Sequence, residues 1–243
     1  MIIKELSIIF PIYNEENRLK INLYKIIKLF KFFKSIKLEI ILVNDGSTDN
    51  THKIINKYLD SFKKKYIKNK INYIYYKKNR GKGYALKKGL IHASKEWNLT
   101  CDVDFSVDPS ELIKWMRFNY IKNKKCCYFG SRELKKSKIK YRYYRKFLGN
   151  VFNNIVQMLF NLGIKDTQCG FKLYHKSYAK KIFSKLNEHG YIHDVEIAIL
   201  LKKNSIRIIE LPIKWVHKDQ SQLNVFYDSL IMLIQLLLLR LRY

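Results

Sequence analysis

Residues 39–47, Glu39-Ile40-Ile41-Leu42-Val43-Asn44-Asp45-Gly46-Ser47, set the fold class. A short apolar run that stops at an Asn-Asp-Gly-Ser cluster is the pattern of a buried strand followed by a turn. The same grammar lies on both sides. Upstream, Leu6 to Phe10 is an apolar run stopped by Pro11, and residues 15 to 34 place Leu19, Leu23, Ile26, Ile27 and Phe30 at helical spacing. Downstream come a helix carrying Ile54, Ile55 and Leu59, a strand from Ile71 to Tyr76, a glycine loop running into a helix over 81–94, and a strand from Leu99 to Val103. Strand and helix in strict alternation predict an α/β fold, a mostly parallel sheet with helices on both faces.

In such sheets ligands bind beyond the carboxyl ends of the strands. Four polar clusters follow the apolar runs: Tyr13-Asn14-Glu15, Asn44-Asp45-Gly46, Asn79-Arg80-Gly81 and Asp102-Val103-Asp104. Each alone reads as a solvated turn; together on one rim they read as a site. Asp102 and Asp104, two residues apart, share one side of an extended strand. Two such carboxylates, with phosphate oxygens and water, suit Mg²⁺ or Mn²⁺. The glycines of Asn79-Arg80-Gly81-Lys82-Gly83-Tyr84-Ala85 let backbone N–H groups approach an anion at a helix start, and Lys82 faces either a diphosphate or solvent. Asp45 either accepts bonds from a nucleoside or, with Ser47, caps the next helix. Asp108-Pro109-Ser110-Glu111 reads as a helix start, with Asp108 the cap.

The second half is less regular. Helices are expected over Phe147–Leu162, Ser177–Leu186 and Asp194–Lys202, and Ile206 to Trp215 reads as a strand pair or edge strand. Lys63 to Lys70 reads as a solvated loop. Leu230 to Leu239 is apolar on nearly every side, which fits an interfacial helix, a partner-binding helix or a last core helix.

Of the 243 residues 47% are hydrophobic and 14% aromatic, enough for a substantial core. Lys and Arg number 48 against 20 Asp and Glu, a net charge of +28 that points to polyanions: anionic lipid, phosphorylated substrates or nucleic acid. No recognisable nucleic-acid motif accompanies the charge, and abundant Lys, Ile, Asn and Tyr also follow from AT-rich coding. The four cysteines form no CxxC pair, which argues against a zinc ribbon and for a reducing compartment. The N-terminus does not read as a signal peptide, and no apolar run reaches the ~20 residues of a membrane span.

Phe10-Pro11-Ile12-Tyr13-Asn14-Glu15-Glu16-Asn17-Arg18-Leu19 resembles the opening of family 2 glycosyltransferases, enzymes of the GT-A fold. Val43 to Asp49, Asn79 to Ala85 and Asp102-Val103-Asp104 resemble their second, third and DxD motifs. Gly130-Ser131-Arg132, Asp166-Thr167-Gln168-Cys169-Gly170-Phe171-Lys172 and Asp194-Val195-Glu196 are similar to the branch that glycosylates dolichyl and other polyprenyl phosphates, with glucose favoured over mannose. The resemblance runs from Leu6 almost to Tyr243. It implies a nucleotide-sugar donor, UDP-glucose rather than GDP-mannose, and a polyprenyl-phosphate acceptor at the cytosolic face of a membrane.

By the same resemblance Pro11, Tyr13, Glu15 and Asp45 hold the nucleoside, and Lys82 stands near the donor. Asp102 holds ribose or metal, and Asp104 the metal. Arg132 and Lys172 handle phosphates, while Asp194 and Glu196 lie near the acceptor. A GT-A catalytic domain over 1–216 and an apolar, basic helical segment over 217–243 complete the expectation. Arg132 to Arg145, with Tyr141, Tyr143 and Tyr144, is a candidate for docking on anionic headgroups. Two features depart from the pattern. Gln220-Ser221-Gln222 replaces a Gly-Ser-Lys, leaving Lys218 as the nearby cation, and the amino-terminal spanning helix usual in eukaryotic relatives is not expected from this sequence.

Overall fold

The computed structural model describes residues 3–63, 70–140, 143–217 and 225–243. Gln220 to Gln222, Lys218, Tyr141 and most of the Lys63–Lys70 loop lie outside the described residues, as do the side chains of Tyr143, Tyr144 and Arg145.

Strands β1 (Glu5–Ile12), β2 (Lys37–Asp45), β3 (Lys70–Tyr76) and β4 (Trp97–Thr100) alternate with helices α1 (Glu16–Phe32), α2 (Thr51–Lys63) and α3 (Lys82–His92). Helix α4 (Glu111–Arg117) leads to β5 (Cys126–Ser131), β6 (Lys138–Lys140) and α5 (Tyr143–Phe160). Then follow β7 (Lys172–His175), α6 (Lys176–Ser184), α7 (His193–Lys203), β8 (Arg207–Pro212), β9 (Lys214–Val216) and α8 (Val225–Arg242). Seven strands form one sheet in the order β3-β2-β1-β4-β7-β5-β8. All its pairings are parallel except those of β7, which runs antiparallel to β4 and β5. A small parallel pair, β6 with β9, stands apart.

The two-residue period of the strands sorts the core into layers. Ile8, Ile40 and Leu42 face α1 and α2, packing with Leu19, Leu23, Ile26 and Ile55. Their neighbours Ile9, Ile41 and Val43 face the other way, onto Leu86 and Leu90 of α3, Ile182 and Phe183 of α6 and Ile197 of α7. Pro11 sits inside β1, beyond the last β1–β4 pair, Ile9 with Thr100, so its missing N–H interrupts no ladder on that side.

The structure amends the sequence reading in three places. β5 and β7 were not foreseen. β4 is Trp97–Thr100 and ends before both aspartates, where the sequence carries the strand on to Val103. Helix α4 begins at Glu111, because Pro109 and Ser110 form a turn first; Asp108 still organises that turn, accepting the Ser110 N–H at 2.8 Å. The 206–215 segment is the expected strand pair, β8 at the sheet edge and β9 on β6. Helix α8 docks on the molecule through Leu236 and Leu239, which pack with Ile192, Val195 and Ile199.

Candidate active site

A cleft of about 660 Å³ opens where the carboxyl ends of β1, β2 and β4 meet the amino-terminal end of α7. Pro11, Tyr13, Glu15, Asp45, Lys82, Asp102, Asp104, Arg132 and Asp194 all line it, so nine of the ten site residues picked from sequence converge. Lys172 does not line it.

Asp45, at the end of β2, is 2% exposed. Its carboxylate accepts the N–H of Arg80 at 2.9 Å and of Gly81 at 2.8 Å, and the Asn79 amide at 3.0 Å. It therefore fastens the 79–81 loop to the sheet and does not cap α2. That cap is Asp49, which accepts the Thr51 N–H at 2.9 Å. The glycine loop also works differently from the expected anion cradle. The Gly81 N–H is spent on Asp45 and the Gly83 N–H on the His189 carbonyl, at 2.8 Å. Gly81 has φ +95°, and a Cβ there would stand 2.3 Å from the His189 oxygen. Glycine is needed here for a close crossing of two chain segments.

That crossing leaves Lys82 directed at Asp102, with Nζ to Oδ1 at 2.6 Å. Burial alone would lower the lysine's pKa, but Asp102, Asp194 and Asp104 together raise it, so Lys82 stays charged. Asp102 and Asp104 stand in a turn past β4, closed by the Phe105 N–H on the Asp102 carbonyl at 3.2 Å, with Phe105 at φ 56°. The turn, not strand alternation, places them. Asp104 accepts the Ser106 N–H and hydroxyl at 2.7 and 2.8 Å, with Arg18 at 3.9 Å. Asp102 lies over Gly170, where a Cβ would stand 2.5 Å from its Oδ2. Hence the Asp166–Lys172 loop needs glycine at that point.

Glu15 is the third acid of this wall. Burial pushes its carboxyl up to about 7; Arg18 pulls it down, and Asp104, Asp102 and Asp49 push it further up. Unbalanced negative charge here fits a divalent cation. No group of three or more metal-ligating side chains occurs among the described residues. A hard cation would therefore take Asp102 and Asp104 and draw its remaining oxygens from ligand phosphates and water, the arrangement Mg²⁺ favours.

The opposite wall comes from the second half of the chain. Arg132, just past β5, makes a two-pronged ion pair with Asp166, Nε–Oδ2 and Nη2–Oδ1 both at 2.8 Å. Burial alone would raise the Asp166 pKa; Arg132 outweighs it and holds the carboxyl below its usual range. Lys172 is 1% exposed and donates to the Thr167 carbonyl at 2.8 Å and to Asp194. It is placed to hold Asp194 from beneath rather than to touch a phosphate. Burial would raise Asp194, but His193, Lys172 and Lys82 hold it low and ionised. Glu196 is 0% exposed and accepts the Asn187 and Glu188 N–H groups and the Tyr243 hydroxyl, so it secures the 187–188 loop and the end of α8, not an acceptor.

Gly190, Tyr191 and His193 line the cleft although no sequence motif marks them, and Gln168 lines it from within the Asp166–Lys172 motif. His193 donates Nδ1–H to the Gly190 carbonyl at 2.6 Å, and burial lowers its pKa despite Asp194 beside it. The turn residues Asn187 and Gly190 ahead of α7 were the available signal.

The comparisons with known proteins agree with this geometry. Residues 7–183 match the family model described as glycosyl transferase family 2. The chain is 35% identical to the dolichyl-phosphate beta-glucosyltransferase of Saccharomyces cerevisiae, over 98% of this chain and 75% of that protein. The Homo sapiens protein of the same name is likewise 35% identical, over 99% of this chain and 76% of its own. Among solved structures, mannosyl-3-phosphoglycerate synthase from Rubrobacter xylanophilus superposes with a TM-score of 0.64 at 16% identity, over 98% of this chain and 74% of that one. The mannosyltransferase PcManGT from Pyrobaculum calidifontis, in complex with GDP-Man and Mn2+, gives 0.58 at 18% identity, over 98% of this chain and 64% of that one. These neighbours share the GT-A architecture. With the family model covering most of its length and its motifs gathered around one cleft, the chain belongs to glycosyl transferase family 2.

Proposed function

We propose that this protein moves glucose from UDP-glucose to dolichyl phosphate or a similar polyprenyl phosphate, with inversion at the sugar. Its 35% identity to dolichyl-phosphate beta-glucosyltransferases over nearly the whole chain carries the reading. The cleft supports it: acids on one wall and the cations Lys82 and Arg132 lining it suit a donor whose diphosphate is bound and then leaves as UDP.

The acceptor supplies its own nucleophile. A phosphate monoester has a second pKa of about 6 and is mostly dianionic at pH 7. Its oxygen forms the new bond to the anomeric carbon while the bond to UDP breaks and UDP keeps the electron pair, so no proton need be removed. Asp194 supports this assignment. A carboxyl held below its ordinary value is a poor proton acceptor, and ion pairing on Lys172 suits it to orient Lys82 and the acceptor end of the cleft. Lys82, kept charged by its acidic neighbours, meets charge developing on the leaving diphosphate. Arg132, oriented by Asp166, lines the cleft where a phosphate would bind. Pro11, Tyr13, Glu15 and Asp45 would frame the nucleoside. When bound by Asp102 and Asp104, Mg²⁺ or Mn²⁺ would neutralise the diphosphate.

The reaction is read as occurring at the cytosolic face of a membrane, since its acceptor is a lipid; the free, buried cysteines suit a reducing compartment. The mechanistic test is a pH–rate profile with saturating substrates. The expected acidic limb follows a group near pH 6, the acceptor phosphate, and Asp194→Asn retains it. A limb with pKa well above 6 that vanishes in Asp194→Asn would make Asp194 a base.

A further inference from the structure

Helix α8 is built inside out. Its inner face packs on α7 through Leu236 and Leu239, both 0% exposed. Its outer face carries Leu230, Ile234, Leu237 and Leu241, spaced by four, three and four residues, with Leu238 beside them. All five are more than half exposed, Leu241 at 86%. That spacing is one continuous helix face, yet an aliphatic one where a surface helix ordinarily shows charge. Among the described residues no helix is long and apolar enough to cross a membrane, so the stripe is no span.

The stripe ends at a hollow of about 440 Å³ between α5, α7 and α8, which has Lys202, Lys203 and Arg240 in its lining and no acidic side chain there. Met158 of α5, 79% exposed, stands at its lip. Lys202 donates to the Asn161 carbonyl and Lys203 lies 4.6 Å from the centre of the Tyr243 ring. Arg240 has no hydrogen-bond or ion-pair partner among the described residues. We propose that the outer face of α8 and this cationic hollow form a docking surface for an anionic lipid bilayer, with the aliphatic stripe entering the acyl boundary and the hollow taking a headgroup phosphate.

Charge selects the occupant. A chain of net charge +28 repels a second copy of itself, whereas an anionic leaflet attracts it. Position gives the surface a use. A Cβ on Gly190, which lines the cleft, would stand 3.4 Å from the Gln235 side chain of α8. A bilayer meeting α8 therefore lies beside the cleft rim. The surface deepens the proposed reading, whose acceptor is a membrane lipid, and its test contains neither substrate, so the two can fail separately.

The test is flotation of the full chain with vesicles of phosphatidylcholine, alone or mixed with phosphatidylserine, containing neither polyprenyl phosphate nor sugar nucleotide. Charge alone gives some binding to anionic vesicles, so salt is the discriminating variable: at 1 M the screening length is about 3 Å. The wild-type chain should keep a salt-resistant bound fraction on mixed vesicles. Leu238→Glu/Leu241→Glu should lose that fraction, and Leu241→Glu alone, at the most exposed position, should lose part of it with an unchanged melting curve. Lys203→Gln/Arg240→Gln should weaken low-salt binding to mixed vesicles by about fivefold per cation, leaving phosphatidylcholine binding unchanged. Absence of wild-type flotation would overturn the proposal, as would salt-resistant binding that survives both leucine variants. Wild-type dimers that the leucine variants dissociate, without vesicle binding, would assign the face to a second copy instead.

Discussion

Along the wall built by β1, β2 and β4, carboxylates are held mainly by backbone N–H and hydroxyl groups: Asp45 by Arg80 and Gly81, Asp104 by Ser106, Asp49 by Thr51 and Glu16. Along the wall built by β5, β7 and α7 two buried acids are held by cations: Asp166 by the partly exposed Arg132 and Asp194 by the buried Lys172. The first wall is fixed by turns that persist when a side chain changes. The second exists only while both members of each pair are present, because an unpaired buried charge is costly and a matched apolar replacement is not.

That contrast is broken most severely at Lys172. Lys172→Met should cost about 3 kcal/mol, measured by urea unfolding, because Asp194 loses its hydrogen-bonded cation and keeps only His193 and Lys82 near it. Lys172→Met/Asp194→Leu should recover much of the loss. A single-variant cost under about 1 kcal/mol would remove the distinction between the walls.

Glu15 sharpens it from the other side, as a site with too much negative charge. Its folded pKa of about 7 lies above the ordinary 4.5. Between those values the folded state holds the extra proton, so stability is highest below 4.5, falls as pH rises through 7 and is then level. Glu15→Gln should flatten that slope and be more stable at pH 8 by no more than about 3 kcal/mol. A wild-type stability that instead rises across this window would contradict the assignment.

Asp166→Asn should be milder, about 2 kcal/mol, because its partner Arg132 is 24% exposed and can be rehydrated. Its carboxyl is held low, so the pair's contribution is full above the ordinary carboxylate range and disappears as acid takes pH through the lower folded value. The acid limb of a stability profile should therefore shift in this variant. The smallest effect belongs to Asp49→Ala, about 1 kcal/mol, since the Thr51 and Glu16 N–H groups it frees are only partly buried and the 44–48 turn, in which Asn44 accepts the Ser47 N–H, stays intact.

The first wall was legible in the sequence because its parts are local. Apolar strands run straight into their turn residues, and the turns carry the acids. The second wall was legible only as motifs. Arg132 and Asp166 lie 34 residues apart and Lys172 and Asp194 lie 22 apart, and no hydropathy pattern announces such pairs. Lys172 opens strand β7 at 1% exposure; a charged residue reads as solvated, which hid both the strand and its antiparallel insertion between β4 and β5. The glycines of the 79–85 loop were noticed for the wrong reason. Their purpose appears only once the 188–193 segment crosses them.

The most direct measurement is transfer in detergent. Purified protein, Mg²⁺ or Mn²⁺ and a polyprenyl phosphate are mixed with UDP-glucose or GDP-mannose labelled in the sugar, and label entering the organic phase is counted. Label is expected from UDP-glucose, with little from GDP-mannose, and most of it should be lost in Asp104→Asn with the fold retained. Label from GDP-mannose alone, or transfer undiminished in Asp104→Asn, would contradict this expectation.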